Sequence, residues 1–136
     1  MLEVNLEGCQ ISQLNFVNKL DNASRISLKT QYSYNLAHGK DGTCRGEFVA
    51  KIENENDPEK FRLKITVLGL FRTKPGVEKE ILHVKSYDAL FPHVKAIVAS
   101  ITANAGIPPL YIPYVDISNQ EIYRMDMPVA ENDDED

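Results

Sequence analysis

The sequence predicts an α+β fold: a four-stranded antiparallel sheet with a long helix, and short helical segments, on one face. Four stretches alternate apolar with polar side chains, as strands with one buried face do, and turn-forming residues separate the last three. One later stretch repeats its apolar residues at the helical period of about 3.6 residues. The short turns between consecutive strands favour an antiparallel meander.

The first predicted strand, residues 2–17, changes its apolar phase twice. Apolar residues alternate as far as Leu6, the phase slips at Gly8, and it slips again at Ser12 and Gln13. Because a slip of one residue turns every later side chain to the other face, we expect bends or bulges at both places. The polar stretch 19–24 is interpreted as a crossover loop.

The other three strands are predicted at 25–36, about 43–53 and about 60–72. Turn-forming residues lie between them, at 38–42 and 54–59, and Pro75-Gly76 follows the last. Each strand has an apolar and a polar face, so one side of the sheet is expected to face water.

The long helix is predicted to begin near Pro92, because proline fits the first helical turn, and to end at Gly106. Residues 78–88 before it are interpreted as a short helix or linker, and residues 118–127 as one or two helical turns. One side of the long helix is bulky and suits the sheet. The other side is small enough for another helix to approach closely, and we interpret it as an oligomer interface formed by Ala96, Ala99, Ser100 and Ala103.

A proline-rich apolar segment, residues 108–115, follows the helix. Its prolines exclude both a helix and a central strand, and they favour an extended chain. Two interpretations are open: burial in the core, or an exposed apolar binding surface. Tyr111 and Tyr114 are three residues apart, so in an extended chain one is expected to pack inward and the other outward.

Composition is that of a water-soluble globular protein, with 43% apolar and 26% charged residues in 136. One domain is predicted over residues 1–128, followed by an acidic, disordered tail over 129–136. The tail holds five of the 20 acidic residues. The rest of the chain therefore has 15 acidic and 15 basic residues, and this absence of net positive charge argues against binding nucleic acid. The first residues lack the features of a signal peptide and no apolar run is long enough to insert into a membrane, so a cytoplasmic protein is expected.

No catalytic motif is recognisable. His38, His83 and His93 are far apart in the sequence and lack metal-ligand spacing. Cys9 and Cys44 form no CxxC motif and are interpreted as reduced, buried thiols. We therefore expect no enzyme activity, no cofactor and no metal site.

An ordered set of short motifs resembles the SecB family of bacterial protein-export chaperones. Leu90-Phe91-Pro92, Gly106, Pro109-Leu110 and Pro113-Tyr114-Val115 are similar to its C-terminal signature, and Gly69-Leu70-Phe71 resembles its GIF-like segment. Order and spacing agree over roughly residues 4–125. Each motif alone is weakly specific, whereas the ordered set is more so.

The resemblance implies an ATP-independent holdase that binds unfolded or precursor polypeptides in apolar grooves, without cofactor or catalysis. It also implies a homotetramer, built as a dimer of dimers, and SecA as a partner in export. The family's acidic SecA-docking position falls on Lys64, and its exposed neighbour is Arg62, so the charge there is inverted. Two alternatives stay open: a SecB-like chaperone dedicated to a toxin–antitoxin pair, and a single-partner or small-ligand binding domain.

The predicted client-binding residues share large apolar or aromatic side chains, which offer sequence-tolerant contacts to extended chains. They come from residues 11–18, which lie where the SecB family has its crossover segment, from the second strand and from the proline-rich segment: Leu14, Phe16, Val17, Tyr32, Tyr34, Leu36, Leu110, Tyr111, Ile112, Tyr114 and Val115.

Overall fold

The computed structural model describes residues 3–20 and 27–115. It confirms the predicted fold class, with a four-stranded antiparallel sheet covered on one face by a long helix. The elements are β1 (Val4–Asn18), β2 (Leu28–His38), β3 (Thr43–Asn54), β4 (Phe61–Thr73) and α1 (Lys79–Asn104).

The strands lie in the order β1-β4-β3-β2. The predicted meander therefore holds for the last three strands, which turns join directly. The first strand instead crosses over and pairs antiparallel with β4, from Val4 opposite Thr73 to Asn18 opposite Phe61. As a result, β1 and β2 form the two edges of the sheet.

Two β-bulges interrupt β1, where the sequence predicted them. The pairing with β4 shifts between Leu6 and Gly8, and again between Ile11 and Gln13. Each shift adds one unpaired residue to β1, so the apolar residues before and after it face the same side of the sheet. Ile11 and Leu14 consequently lie opposite β4 residues that face the helix, although their separation of three would place them on opposite faces of a regular strand.

The core lies between the sheet and α1. Every second residue of β4 from Phe61 to Phe71 is buried on this side. Gly46 and Gly69 are directly paired on β3 and β4. A methyl group on Gly69 would lie 3.0 Å from the Phe71 ring and 3.1 Å from Leu90 of the helix. A side chain at Gly69 would therefore require Phe71 and Leu90 to shift by a few tenths of an ångström.

The helix begins earlier than the sequence predicted. It starts at Lys79, so Pro92 and His93 lie inside it rather than in its first turn, and residues 79–88 are its first turns rather than a separate helix or linker. An interior proline removes a backbone hydrogen bond and costs about 3 kcal/mol or more. Packing offsets this cost, because Leu90, Phe91 and Val94 are buried on both sides of the proline.

Several predictions from the sequence lie outside the described residues. These are the short helix at 118–127, the acidic tail at 129–136 and therefore the domain limit at residue 128. Over the described part of the chain, no helix is both long and apolar enough to cross a membrane.

Candidate functional site

An uncovered row of apolar side chains runs along β1 on the helix-facing side of the sheet. We call Cys9, Ile11, Leu14 and Phe16 the β1 stripe. The register places them opposite Gly69, Val67, Ile65 and Leu63. Ile11 is 43% exposed and Leu14 is 48% exposed, which is unusual for large apolar residues opposite a buried strand. Cys9 is also exposed, so the prediction of a buried thiol was wrong for Cys9 and right for Cys44.

The ends of β1 are covered, whereas its middle is not. Phe16 is partly buried because it packs edge-on against Phe61 with ring centroids 5.7 Å apart. Asn18 reaches the end of the helix, where its Nδ2 donates to the Ala105 carbonyl over 3.5 Å. Ile11 and Leu14 lie along the strand beyond this cover.

The proline-rich segment folds back along the helix. The Leu110 N–H donates to the Thr102 hydroxyl over 2.8 Å, and the Tyr32 hydroxyl donates to the Pro113 carbonyl over 2.8 Å. The Tyr114 hydroxyl donates to the Asp88 carboxylate over 2.6 Å. The segment therefore runs antiparallel to the helix, from its last turns towards its middle.

Beneath this segment lies an aromatic cluster that joins sheet to helix. Phe48 and Tyr87 stack with centroids 5.4 Å apart and an interplanar angle of 10°. The Tyr34 hydroxyl donates to Ser86 over 2.6 Å and is wholly buried with its ring. Burial raises the pKa of Tyr32, Tyr34 and Tyr87 far above the ordinary value.

Three of the predicted client-binding residues therefore belong to the core. Tyr32 and Tyr34 point at the helix from β2, and Ile112 is the buried residue of the proline-rich segment. A client cannot contact them without a rearrangement of the protomer. The expectation that Tyr34 lines an exposed groove does not fit this placement, because the apolar face of β2 is the face that the helix covers.

The other predicted client-binding residues occupy separate places. Tyr111 is 65% exposed and Tyr114 is 51% exposed, whereas Leu36, Leu110 and Val115 are half-buried. Val17 lies opposite Arg62, on the face away from the helix. The β1 stripe and β2 lie at opposite edges, about 14 Å apart at the usual strand spacing. The structure therefore does not bring all the predicted residues into one groove.

The predicted oligomer interface lies on the side of α1 away from the sheet. Ala96, Ser100 and Ala103 are exposed, and Ala99 is half-buried. These small, uncharged side chains are free to meet another surface in this protomer. In residues 3–20 and 27–115, no three His, Cys, Asp or Glu side chains lie close enough to hold a metal ion.

Sequence reasoning missed Cys9 and Ile11 as members of the site. Their signal was present in the two phase slips, because bulges at those positions put both residues on the same face as Leu14. What the sequence did not contain was the strand order that leaves β1 at an edge. Leu70 was likewise missed as an exposed apolar residue on the open face of the sheet.

Comparison with known proteins found no matching family model. The SecB proteins of two Orientia tsutsugamushi strains are 27% identical to this chain over 104 residues, which are 74% of the chain. These residues are 58% and 57% of the two SecB proteins, so the chain spans less than two thirds of their length. An uncharacterised protein of Methanocaldococcus jannaschii, MJ0357, is 34% identical over 59 residues, 41% of this chain and 38% of that protein.

A solved structure with the same fold is the SecB-like chaperone Rv1957 of Mycobacterium tuberculosis, in complex with a ChAD peptide from the Rv1956 HigA1 antitoxin. The TM-score is 0.67 at 13% identity, and the match covers 83% of this chain and 91% of the other. At this identity the likeness establishes the fold, and the SecB matches add agreement in sequence. The chain therefore has a SecB-like fold.

Proposed function

We propose that this protein is an ATP-independent holdase, a chaperone that binds unfolded or precursor polypeptides. The observation that supports this most directly is the β1 stripe, where Ile11 and Leu14 expose large apolar side chains on an edge strand. Apolar contact is non-directional and tolerates many client sequences. An edge strand also offers backbone hydrogen bonds to any extended chain.

Tyr111 extends this proposal to a second surface. It is the most exposed of the large apolar side chains in the described residues, and the hydrogen-bonded segment on either side holds its backbone in place. A tyrosine offers a large contact area at low conformational cost. A long client would contact the stripe and Tyr111 successively rather than in one groove.

We also propose a homotetramer, a dimer of dimers, in which the small face of α1 forms one of the contacts. Ala96, Ser100 and Ala103 allow a second helix to approach closely and contribute no charge that burial would penalise. In a tetramer, several stripes would act on one client, which raises the effective affinity without new contacts.

A second candidate function is that of a chaperone dedicated to one partner in a toxin–antitoxin pair. The observation in its favour is that the SecB-like chaperone with the same fold was solved with a peptide from an antitoxin. The two functions differ in client range. A general holdase suppresses the aggregation of many unrelated unfolded proteins, whereas a dedicated chaperone protects one.

SecA is a partner that the resemblance implies, and we propose that any binding is weak. Arg62 and Lys64 place positive charge on β4, where the family has an acidic docking position.

The experiment that tests the holdase function is aggregation suppression of several reduced, unfolded proteins by the full chain. Leu14→Asn is expected to weaken holding by roughly tenfold, the scale of one buried leucine contact. Leu70→Asn is the matched control, because Leu70 is similarly exposed, at 49%, but lies on the opposite face of the sheet.

Equal holding by the two variants and the wild type would exclude the β1 stripe as the client surface. Protection of a single protein among many unrelated ones would favour the dedicated chaperone over the general holdase.

A further inference from the structure

The face of the sheet away from the helix contains a cleft of about 580 Å³ at one end of β3 and β4. It is distinct from the β1 stripe, which lies on the helix-facing side. Five of its eight lining residues are charged: Lys51, Glu53, Glu59, Arg62 and Lys64.

Two of its cations are not neutralised by their neighbours. Within the described residues, neither Arg62 nor Lys64 has a carboxylate oxygen within 4 Å of its charged nitrogens. The register sets Lys64 directly opposite Lys51 on β3, with Asn15 opposite it on β1. Neither Lys51 nor Asn15 offers a negative charge to Lys64.

The spacing of the two cations suits an extended peptide. Arg62 and Lys64 are two residues apart on one strand, so their side chains share a face about 6.8 Å apart. Alternate side chains of an extended peptide have the same spacing. Carboxylates at every second position of such a peptide would therefore meet both cations in register, and the guanidinium of Arg62 can bind a carboxylate through two hydrogen bonds.

We propose that this cleft is a docking site for an acidic, extended polypeptide segment of a partner protein. Glu53 and Glu59 line the same cleft, and Glu53 lies opposite Arg62. These two carboxylates restrict the positive charge to a short patch. A long polyanion such as nucleic acid would extend beyond this patch and meet the carboxylates, which would repel it. The proposal does not depend on the holdase function, because it concerns the opposite face of the sheet.

The probe is a fluorescein-labelled peptide of about ten residues in which glutamate alternates with threonine, a pattern that favours extended structure. Fluorescence anisotropy with the full chain measures its affinity. Lys64→Glu is expected to weaken binding by roughly tenfold or more, because one attraction is lost and one repulsion is added. Arg45→Glu is the matched control, since Arg45 is exposed on the same face of β3 but outside this cleft.

A second peptide, with glutamine in place of glutamate, is expected to bind at least tenfold more weakly. A higher salt concentration is expected to lower the affinity of the acidic peptide, because salt screens the attraction between charges. Equal binding of the two peptides, or equal loss in the two variants, would overturn the proposal. So would tighter binding of a single-stranded oligonucleotide of equal charge.

The acidic residues at 131–136 of the chain itself could also occupy the cleft. A variant in which asparagine and glutamine replace these aspartates and glutamates tests this occupant. An unchanged affinity for the acidic peptide supports a partner in trans. Binding that appears only after this replacement would assign the cleft to the chain's own acidic segment and overturn the proposal as stated.

Discussion

Tyr114→Ala is expected to destabilise the protein, whereas Tyr111→Ala is not. Both tyrosines lie in the proline-rich segment and more than half of each side chain is exposed. They differ in what they contact. The Tyr114 ring lies edge-on to Phe91 with centroids 5.3 Å apart and tilted against Tyr87 at 5.7 Å, and its hydroxyl donates to Asp88.

The expected cost follows from these contacts. Each aromatic pair contributes about 0.5–1.5 kcal/mol, and the half-exposed ring argues for the lower part of that range. The hydrogen bond to the exposed Asp88 adds roughly 0.5–1 kcal/mol. The total is about 1.5–2.5 kcal/mol, which corresponds to a melting temperature lower by roughly 5–10 °C for a domain of this size.

Thermal melts and urea titrations of the two variants measure this difference. Tyr111 makes no ring contact within the described residues, so its truncation should change stability by about 0.5 kcal/mol or less. Tyr114→Phe keeps the rings in contact and removes only the hydrogen bond, so it should fall between Tyr114→Ala and the wild type. Identical melting of Tyr114→Ala and Tyr111→Ala would refute the reasoning that the segment is fixed to the helix through Tyr114.

Three other changes have expected outcomes. Gly69→Ala should cost roughly 1–3 kcal/mol in urea unfolding because its methyl group meets Phe71 and Leu90, whereas Gly8→Ala, which meets nothing within 4 Å, should not be destabilised by overpacking. Ala103→Glu should dissociate the proposed tetramer in light scattering, and a wild-type monomer at micromolar concentration would exclude the tetramer. Stability should fall as the pH rises past the ordinary tyrosine pKa of 10.0, since tyrosines of the unfolded state ionise first and burial resists ionisation of Tyr32, Tyr34 and Tyr87 in the folded state. The share of tyrosinate absorbance that these three residues contribute should then appear only as the core unfolds.

The strands and the two bulges could be predicted because their signal is local. Alternation identifies a strand and its two faces, and a slip in alternation identifies a bulge within one or two residues. The strand order could not be predicted in the same way. Whether β1 pairs with β2 or with β4 depends on contacts between residues far apart in the sequence, and this choice determines that Ile11 and Leu14 lie at an edge.

The start of the helix was predicted wrongly for a related reason. The rule that places Pro92 in the first turn describes the backbone alone. Burial of Leu82 and Tyr87 before the proline, and of Val94 after it, outweighs the local cost. The same tertiary packing explains why Tyr34 is buried rather than available to a client. The alternation of β2 shows which residues share a face, but it does not show that a helix covers Tyr34 on that face.

The crossover of β1 has a consequence for the order in which the chain folds. The turns between β2, β3 and β4 are short, whereas Asn18 pairs with Phe61 and Val4 pairs with Thr73, partners that are 43 and 69 residues away. Because such distant pairings are slow to form, we expect the three-stranded meander to form first and β1 to join it late. On the ribosome, β1 is synthesised first and has no partner strand until β4 has emerged. Its apolar residues would remain uncovered throughout that interval, so a nascent chain of this protein would itself resemble the unfolded polypeptides that we propose it binds.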